Sequence, residues 1–164
     1  MSNAILYRMS SGIPGDISRK DMSTIESFQF SATAPFGAYG VAAKVSGSNL
    51  VPFTGAETAA SLYGFLVRPY PTNAGTDGLG VSTPPQSGGT GNVLRRGYIS
   101  VKVNNGTAAQ YGQVYIRVAL NASIPAGVIG GVEAVADGTN TVAIDAQFMC
   151  SADANGNAEI SYNI

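Results

Sequence analysis

The chain has 164 residues, with nine lysines and arginines, ten acidic residues, no histidine and one cysteine, for a net charge of −1. A near-neutral chain lacks the basic face that a general nucleic-acid binder needs for counterion release. The absence of histidine removes Ser-His-Asp and Cys-His catalysis and most zinc sites, and a single cysteine excludes an internal disulfide bond.

Residues 1–25 are predicted to form an extended N-terminal arm rather than a folded element. Gly and Pro in SSGIPGDISRKDMS deny regular structure, and few large apolar side chains are available to anchor the segment. Ordering it costs roughly 1–2 kcal/mol of backbone entropy per residue, so we expect it to order against a partner. No basic segment precedes a long apolar run, so no secretion signal is expected. No run of about 18 apolar residues predicts a membrane span.

A single β-domain is predicted over residues 26–164, because period-two alternation recurs and no convincing amphipathic helix is present. The plausible strands of its first half are SFQFSATA, AYGVAAKV, NLVPF and LYGFLVRPY, with SGSN as the turn between the middle pair. ETAASLYGF has a brief helical spacing, but Gly64 and the aromatic residues favour a loop that enters a strand.

The stretch at residues 72–92 is predicted to be a long loop inserted in this domain. It holds six glycines and two prolines. A connection of this length is either a functional loop or disordered in the free protein. Neither GTDGLG nor SGGTGNV joins a strand to a helix, so no phosphate-binding loop is assigned.

The second half of the domain predicts strands that face one another through matched apolar rows. These rows are Ile99, Val101 and Val103 in GYISVKV, and Val114, Ile116 and Val118 in QVYIRVAL. Placing Val103 opposite Val114 aligns the two rows, which predicts that these strands pair. Further strands are predicted at GVEAVA, NTVAIDAQFM and AEISYNI, separated by DGTN and DANGN, whose Asp-Gly and Asn-Gly steps suit tight turns.

No local motif predicts a catalytic, cofactor or metal site. DANGNAE, from Asp153, spaces polar residues like the start of a calcium loop, but Ala158 and Ile164 occupy the positions that need Gly and Glu. A hairpin turn is the better interpretation. Cys150 has no base beside it and is interpreted as a small buried hydrophobe. Paired carboxylates for glycosidic chemistry stay open, because any two acidic residues can meet in space.

The segments GIPGDISR, GFLVRPYPT, VLRRGYISVKV, GVEAVADG and AEISYNI resemble, in this order, the structural cement (capsid decoration) proteins of tailed double-stranded-DNA bacteriophages. The resemblance runs from Gly12 to Ile164 and rests on order and spacing rather than on one motif. It implies an all-β protein, an antiparallel β-sandwich or jelly-roll-like barrel, on the outside of the icosahedral head. It also implies synthesis in the host cytoplasm.

The same resemblance implies a non-enzymatic protein without a cofactor. Its expected partners are the phage major capsid protein and sister cement chains in a homodimer or homotrimer, with no nucleic acid and no membrane. Such proteins clamp neighbouring capsomers. Only 12% of the residues are charged, so the surface is either rich in small polar groups or covered by a partner.

The candidate contacts to the capsid or to sister chains are Asp16, Arg19, Arg95 and Arg96. The two adjacent arginines stand where the Gly-rich loop meets a strand, and a guanidinium fork binds carboxylates through two hydrogen bonds. Because successive side chains on a strand point to opposite faces, one arginine can face a partner while the other pairs internally. The alternatives are an internal pair, with Asp77 as one acceptor, and a helix N-cap at Asp16 or Ser18.

An alternative function is a virion-associated carbohydrate- or receptor-binding β-sandwich. Sugar recognition needs exposed aromatic side chains that stack on the rings, and the chain has no tryptophan but eight tyrosines. A hydrolase with paired carboxylates is a further alternative that no motif supports.

Overall fold

The computed structural model describes residues 12–69, 83–86 and 88–164. In these ranges the regular structure is nine strands and three short 3₁₀ turns, so the predicted all-β class is confirmed. The strands are β1 (Thr24–Phe30), β2 (Ala42–Ser46), β3 (Asn49–Pro52), β4 (Gly64–Val67), β5 (Gly89–Asn105), β6 (Gln113–Arg117), β7 (Val132–Glu133), β8 (Thr141–Phe148) and β9 (Asn157–Tyr162). A search of the described helices for one long and apolar enough to cross a membrane finds none.

The strands form one mixed sheet in the order β1-β3-β2-β4-β5-β7-β6-β8-β9. Additional pairings, β1 with β5 and β5 with β9, join both ends of this order to β5. The pairs β1–β3 and β5–β7 are parallel, so the sheet is not wholly antiparallel as predicted. Whether the layers form a sandwich or a jelly-roll-like barrel stays a prediction.

Strand β5 is the central element, with 17 residues. Its first part pairs with β1 and β4, and its second part, from Gly97, pairs with β9. Gly97 has φ of +133°, and a Cβ there would lie 2.8 Å from the Cα of Ser23, so only glycine fits where the strand changes partners. The strand begins at Gly89, inside the stretch predicted as loop, because β1 supplies ladder partners that local composition does not reveal. Residues 72–82 and 87 of that stretch lie outside the described residues.

The core consists of two apolar clusters on opposite sides of β4 and β5. Phe65, Val67 and Leu94 belong to the larger cluster, whereas Leu66 and Val93 belong to the smaller one. Neighbouring residues of a strand point to opposite faces, so this division follows from period-two alternation on strands that are buried on both sides.

The predicted pairing of GYISVKV with QVYIRVAL is wrong, although the predicted core face is confirmed. β5 pairs with β9, and β6 pairs with β7 and β8, so Ile116 lies opposite Val132 and Val142 rather than Val101. The six predicted core residues are nevertheless all buried except the half-buried Val103. Alternation specifies which side of a strand is buried, whereas the choice of neighbour depends on the whole sheet.

From Gly12 onward, the predicted arm lies against β5. The Gly15 N–H donates to the Ser100 carbonyl oxygen at 2.8 Å, the Ser100 N–H donates to the Asp16 carbonyl oxygen at 2.9 Å, and Ile17 forms a bridge with Ile99. β1 begins at Thr24, within the range assigned to the arm. Residues 1–11 lie outside the described residues, so extended reach stays a prediction for them.

Glu57 closes the loop that follows β3. Its carboxylate accepts hydrogen bonds from the Thr54 N–H at 2.8 Å, the Gly55 N–H at 2.7 Å and the Lys44 ammonium at 2.5 Å. Burial raises the pKa of this carboxyl, but the hydrogen bonds together outweigh burial and lower the pKa from its usual 4.5 to about 2. The loop is therefore stabilised by an ionised carboxylate.

Glu57→Gln is expected to lower the free energy of unfolding at neutral pH by up to about 3 kcal/mol. A pKa lowered in the folded state contributes stability that is complete above the usual value of 4.5 and is lost as the pH falls to about 2. Denaturant unfolding of wild type and variant at about pH 7, 4 and 2 measures this contribution. The two curves should converge toward the lowest pH, and a difference independent of pH would contradict the assignment.

Candidate interaction surface

Asp16 lines a surface cavity and lies beside a buried arginine, Arg68. Its carboxylate is 3.7 Å from the guanidinium of Arg68, whose side chain is only 3% exposed. The cavity is about 460 Å³ and is lined by Asp16, Ile17, Lys20, Ile25, Val67, Arg68, Pro69 and Asn92. Asp16 therefore has an internal partner, and the helix N-cap alternative is wrong because the helical turn that follows, Lys20–Met22, is preceded by Arg19.

Arg19 also has partners within the chain. It donates to both carboxylate oxygens of Glu159, at 3.1 and 2.9 Å, and its guanidinium lies 4.0 Å from the centre of the Tyr98 ring. Ser18 donates to the same carboxylate at 2.6 Å. Burial raises the pKa of Glu159, but the hydrogen bonds from Arg19 and Ser18 outweigh it and hold the pKa below its usual value. These contacts fasten the segment before β1 to β9.

Arg95 occupies a β-bulge and points back onto the domain. Thr24 lies opposite Arg96 and Ile25 opposite Leu94, so Arg95 is the extra residue of the bulge. Its guanidinium lies 3.8 Å from the centre of the Tyr63 ring and donates to the Tyr63 carbonyl oxygen. The Tyr63 hydroxyl donates to the Glu26 carboxylate, which lies 3.8 Å from Arg95 Nε.

The Tyr63 pKa is raised, first because its hydroxyl donates to the Glu26 carboxylate and second because of burial. Arg95, Tyr63 and Glu26 thus form one internal cluster.

Arg96 differs from Arg95 because it is exposed and has no partner among the described residues. Within the described ranges, no hydrogen bond, ion pair or ring contact involves its side chain. The prediction was that one arginine pairs internally while the other faces a partner: Arg95 has internal partners, and a partner contact of Arg96 stays a prediction. The proposed acceptor Asp77 lies outside the described residues. The structure gives Arg95 the Tyr63 carbonyl oxygen as an acceptor and the Glu26 carboxylate as an ion-pair partner at 3.8 Å.

Apolar side chains are exposed around the start of β1, near Thr24, the residue that lies opposite Arg96, and they were not among the predicted contacts. Met22 is 56% exposed and Ile25 is 43% exposed, on the turn before β1 and at its start. Ile25 also lines the cavity beside Asp16. We call the surface formed by Lys20, Met22, Thr24, Ile25 and Arg96 the β1 surface. The sequence around β1 does not reveal this surface, because the exposure of these residues depends on which strands cover β1.

The described residues contain no group of three or more His, Cys, Asp or Glu side chains placed to hold a metal ion. Asp153 accepts the N–H groups of Asn155 and Asn157, each at 2.9 Å, inside the connection between β8 and β9. These strands are antiparallel neighbours, so the predicted hairpin is confirmed. Cys150 is half-buried, packs against the larger core cluster, and accepts the Glu159 N–H at 3.4 Å.

The alternative of sugar binding depends on exposed aromatic rings. Tyr111, in the connection between β5 and β6, is 66% exposed and has φ of +64°. One ring offers one stacking contact, whereas the β1 surface combines an unpaired charge with exposed apolar groups, as protein interfaces do.

Three comparisons relate the chain to known proteins. The family model of the XM1 gp53 minor capsid protein matches residues 1–162. The search of curated proteins finds no match. A solved structure, the capsid of Myoviridae phage XM1, contains a chain that superimposes with a TM-score of 0.66 at 18% sequence identity. The superposition covers 99% of this chain and 97% of that chain, which shows a shared fold over the full length of both.

Proposed function

The chain belongs to the XM1 gp53 minor capsid protein family, and we propose that it binds the outside of a phage head and cements neighbouring capsomers of the major capsid protein. Family membership makes it a structural component of the virion that associates with the capsid. The prediction of a phage capsid-associated protein is thereby confirmed. The cementing role, the outer surface and the homodimeric or homotrimeric state are the parts that we propose.

The observation that carries the proposal is Arg96 on the β1 surface. A guanidinium for which the described residues supply no partner stands on a strand whose backbone is fixed by β1 and β4. The guanidinium fork is planar, so less entropy is lost for each hydrogen bond when it binds a carboxylate or carbonyl group of another chain. Met22 and Ile25, near the start of β1, expose apolar area that a partner would cover on binding.

The proposed role requires contacts rather than chemistry. Membership of a minor capsid family supports a structural, non-enzymatic role, and no cofactor enters the proposal. Among the four candidate contacts, Arg96 is proposed as the direct one. Asp16, Arg19 and Arg95 are proposed to shape the adjoining surface, because each has an internal partner.

Arg96→Ala is expected to reduce retention on purified capsids by roughly tenfold or more while leaving the melting temperature close to that of the wild type. An exposed side chain with no partner among the described residues contributes little to folding stability, so this substitution should weaken binding without destabilising the fold. Retention after sedimentation and thermal unfolding are measured on the same preparations.

The matched control is Lys102→Ala, which removes another positive charge from the same strand. Lys102 is exposed and donates to the Asn155 carbonyl oxygen, away from the β1 surface. It should be retained like the wild type. Arg95→Ala should instead lower the melting temperature, because it removes the internal cluster with Tyr63 and Glu26. Normal retention of Arg96→Ala would remove this residue from the interface.

A further inference from the structure

Strand β1 has a neighbour along its whole length on one side only. β5 pairs with it from Thr24 to Phe30, whereas β3 reaches only Gln29 and Phe30 on the other side. In the described part of the chain, no other strand pairs with residues 24–28. An unpaired edge presents a row of free N–H and C=O groups, which is a template for pairing with another chain.

The direction of these groups follows from the hydrogen bonds of the neighbouring strands. On β4, the Leu66 N–H donates to the Val41 carbonyl oxygen, and the Leu66 carbonyl accepts the Gly40 N–H, both at 2.9 Å. The backbone N–H and C=O groups of Leu66 therefore point away from β5. Val93 lies opposite Leu66, so its backbone groups point away from β4 and toward β1. Glu26, the partner of Val93, is bonded to β5 in consequence.

Alternate residues of β1 must then face the open side. Glu26 and Phe28 bond to β5, whereas Ile25 and Ser27 direct their N–H and C=O groups to the edge that β3 does not reach. Ser31 is an even number of residues from Ile25 and Ser27, so its N–H should point to the same side of β1. It does, because it donates to the Leu50 carbonyl oxygen of β3 at 3.4 Å. Two independent sets of bonds thus assign the free groups to Ile25 and Ser27.

We propose that the β1 edge at residues 24–28 accepts an extended segment of the major capsid protein as an added strand. This inference rests on the proposed function and names how the partner is held. A residue of the added strand opposite Ile25 would share its face of the sheet, beside the cavity of about 460 Å³. Backbone bonds would supply affinity, and an apolar side chain at this cavity would supply selectivity.

Charge disfavours a second copy of this chain as the occupant. The free edge is centred on Glu26, so a two-fold antiparallel pair would place Glu26 of one copy opposite Glu26 of the other. This side chain is 42% exposed, and like charges directly opposite each other destabilise a sheet. A capsid segment without an acidic residue at that position has no such penalty.

Ser27→Pro tests the added strand. Proline removes the one N–H of Ser27 that faces the open edge and leaves the bonds of Glu26 and Phe28 to β5, as edge prolines do. We expect about tenfold weaker retention on capsids that lack the endogenous protein, from the loss of one backbone bond and the partner carbonyl that it leaves unpaired. The melting temperature should stay close to that of the wild type.

The matched control is Ala122→Pro. Ala122 is exposed at the second position of a turn in which the Ile124 N–H donates to the Asn121 carbonyl oxygen, and this position favours proline. It should be retained like the wild type. Equal retention of Ser27→Pro would overturn the added strand and leave the proposed function standing. Failure of the wild type itself to bind such capsids would overturn the proposed function.

If Ser27→Pro has a lowered melting temperature, hydrogen exchange on the wild type tests the added strand instead. The amides of Ile25 and Ser27 should exchange quickly in free protein and slowly on capsids, whereas those of Glu26 and Phe28 should be protected in both. Unchanged exchange at Ile25 and Ser27 would overturn the proposal. Slow exchange of these amides in free protein would also overturn the proposal if sedimentation shows that the free protein is dimeric, because a sister chain would then occupy the edge.

Discussion

Arg117→Met is expected to lower the free energy of unfolding by roughly 3–5 kcal/mol, because it leaves Glu133 buried without its charge partner. Both side chains are 0% exposed, and Arg117 Nη2 donates to Glu133 Oε2 at 2.9 Å. A third member, Asp137, accepts from Arg117 Nη1 at 3.0 Å. The hydrogen bond with Glu133 raises the pKa of Arg117 despite burial, and Asp137 raises it further. Denaturant unfolding measures the loss.

Two further variants test whether the loss of stability arises from the burial of the ion pair. The double variant Arg117→Met with Glu133→Leu should recover much of the lost stability, since well-packed apolar residues often replace a buried ion pair without cost. Arg19→Met removes a similar ion pair with Glu159, but the Arg19 side chain is 45% exposed, so it should cost no more than about 1 kcal/mol. Equal losses in Arg117→Met and Arg19→Met would contradict the argument.

Ile116→Ala is expected to cost about 4 kcal/mol, within the roughly 2–5 kcal/mol range for such truncations. Ile116 is 0% exposed and lies between Val132 of β7 and Val142 of β8, so neighbouring strands restrict collapse around the cavity left behind. Urea unfolding midpoints of variant and wild type give the difference.

The control for this cavity is Leu120→Ala, three positions beyond the end of β6. Leu120 is 69% exposed, so its truncation should change stability by no more than about 0.5 kcal/mol. A midpoint for Ile116→Ala as close to the wild type as that of the control would show that the buried face of β6 is wrongly assigned.

The adjacent arginines show where sequence reasoning succeeded and where it stopped. Alternation along a strand predicted that one of Arg95 and Arg96 pairs internally while the other faces a partner; the structure pairs Arg95 and exposes Arg96, and the partner contact stays a prediction. The partners of Arg95 were not predictable, because Glu26 lies on β1 and Tyr63 lies just before β4, both far from Arg95 in the sequence. The bulge that directs Arg95 is a product of pairing between β1 and β5, which leaves no local signature.

The sequence by itself determined the all-β class, the buried rows of β5 and β6, the β8–β9 hairpin and the relation to phage capsid proteins. Each of these depends on side-chain order along the chain, which folding cannot change. Only the tertiary structure decided that β5 pairs with β9 rather than β6, that residues 12–18 lie on β5, and that no described strand covers the outer side of β1 at residues 24–28. Strand neighbours are chosen by the burial and hydrogen bonding of the whole sheet, and several partners satisfy the same alternation equally well.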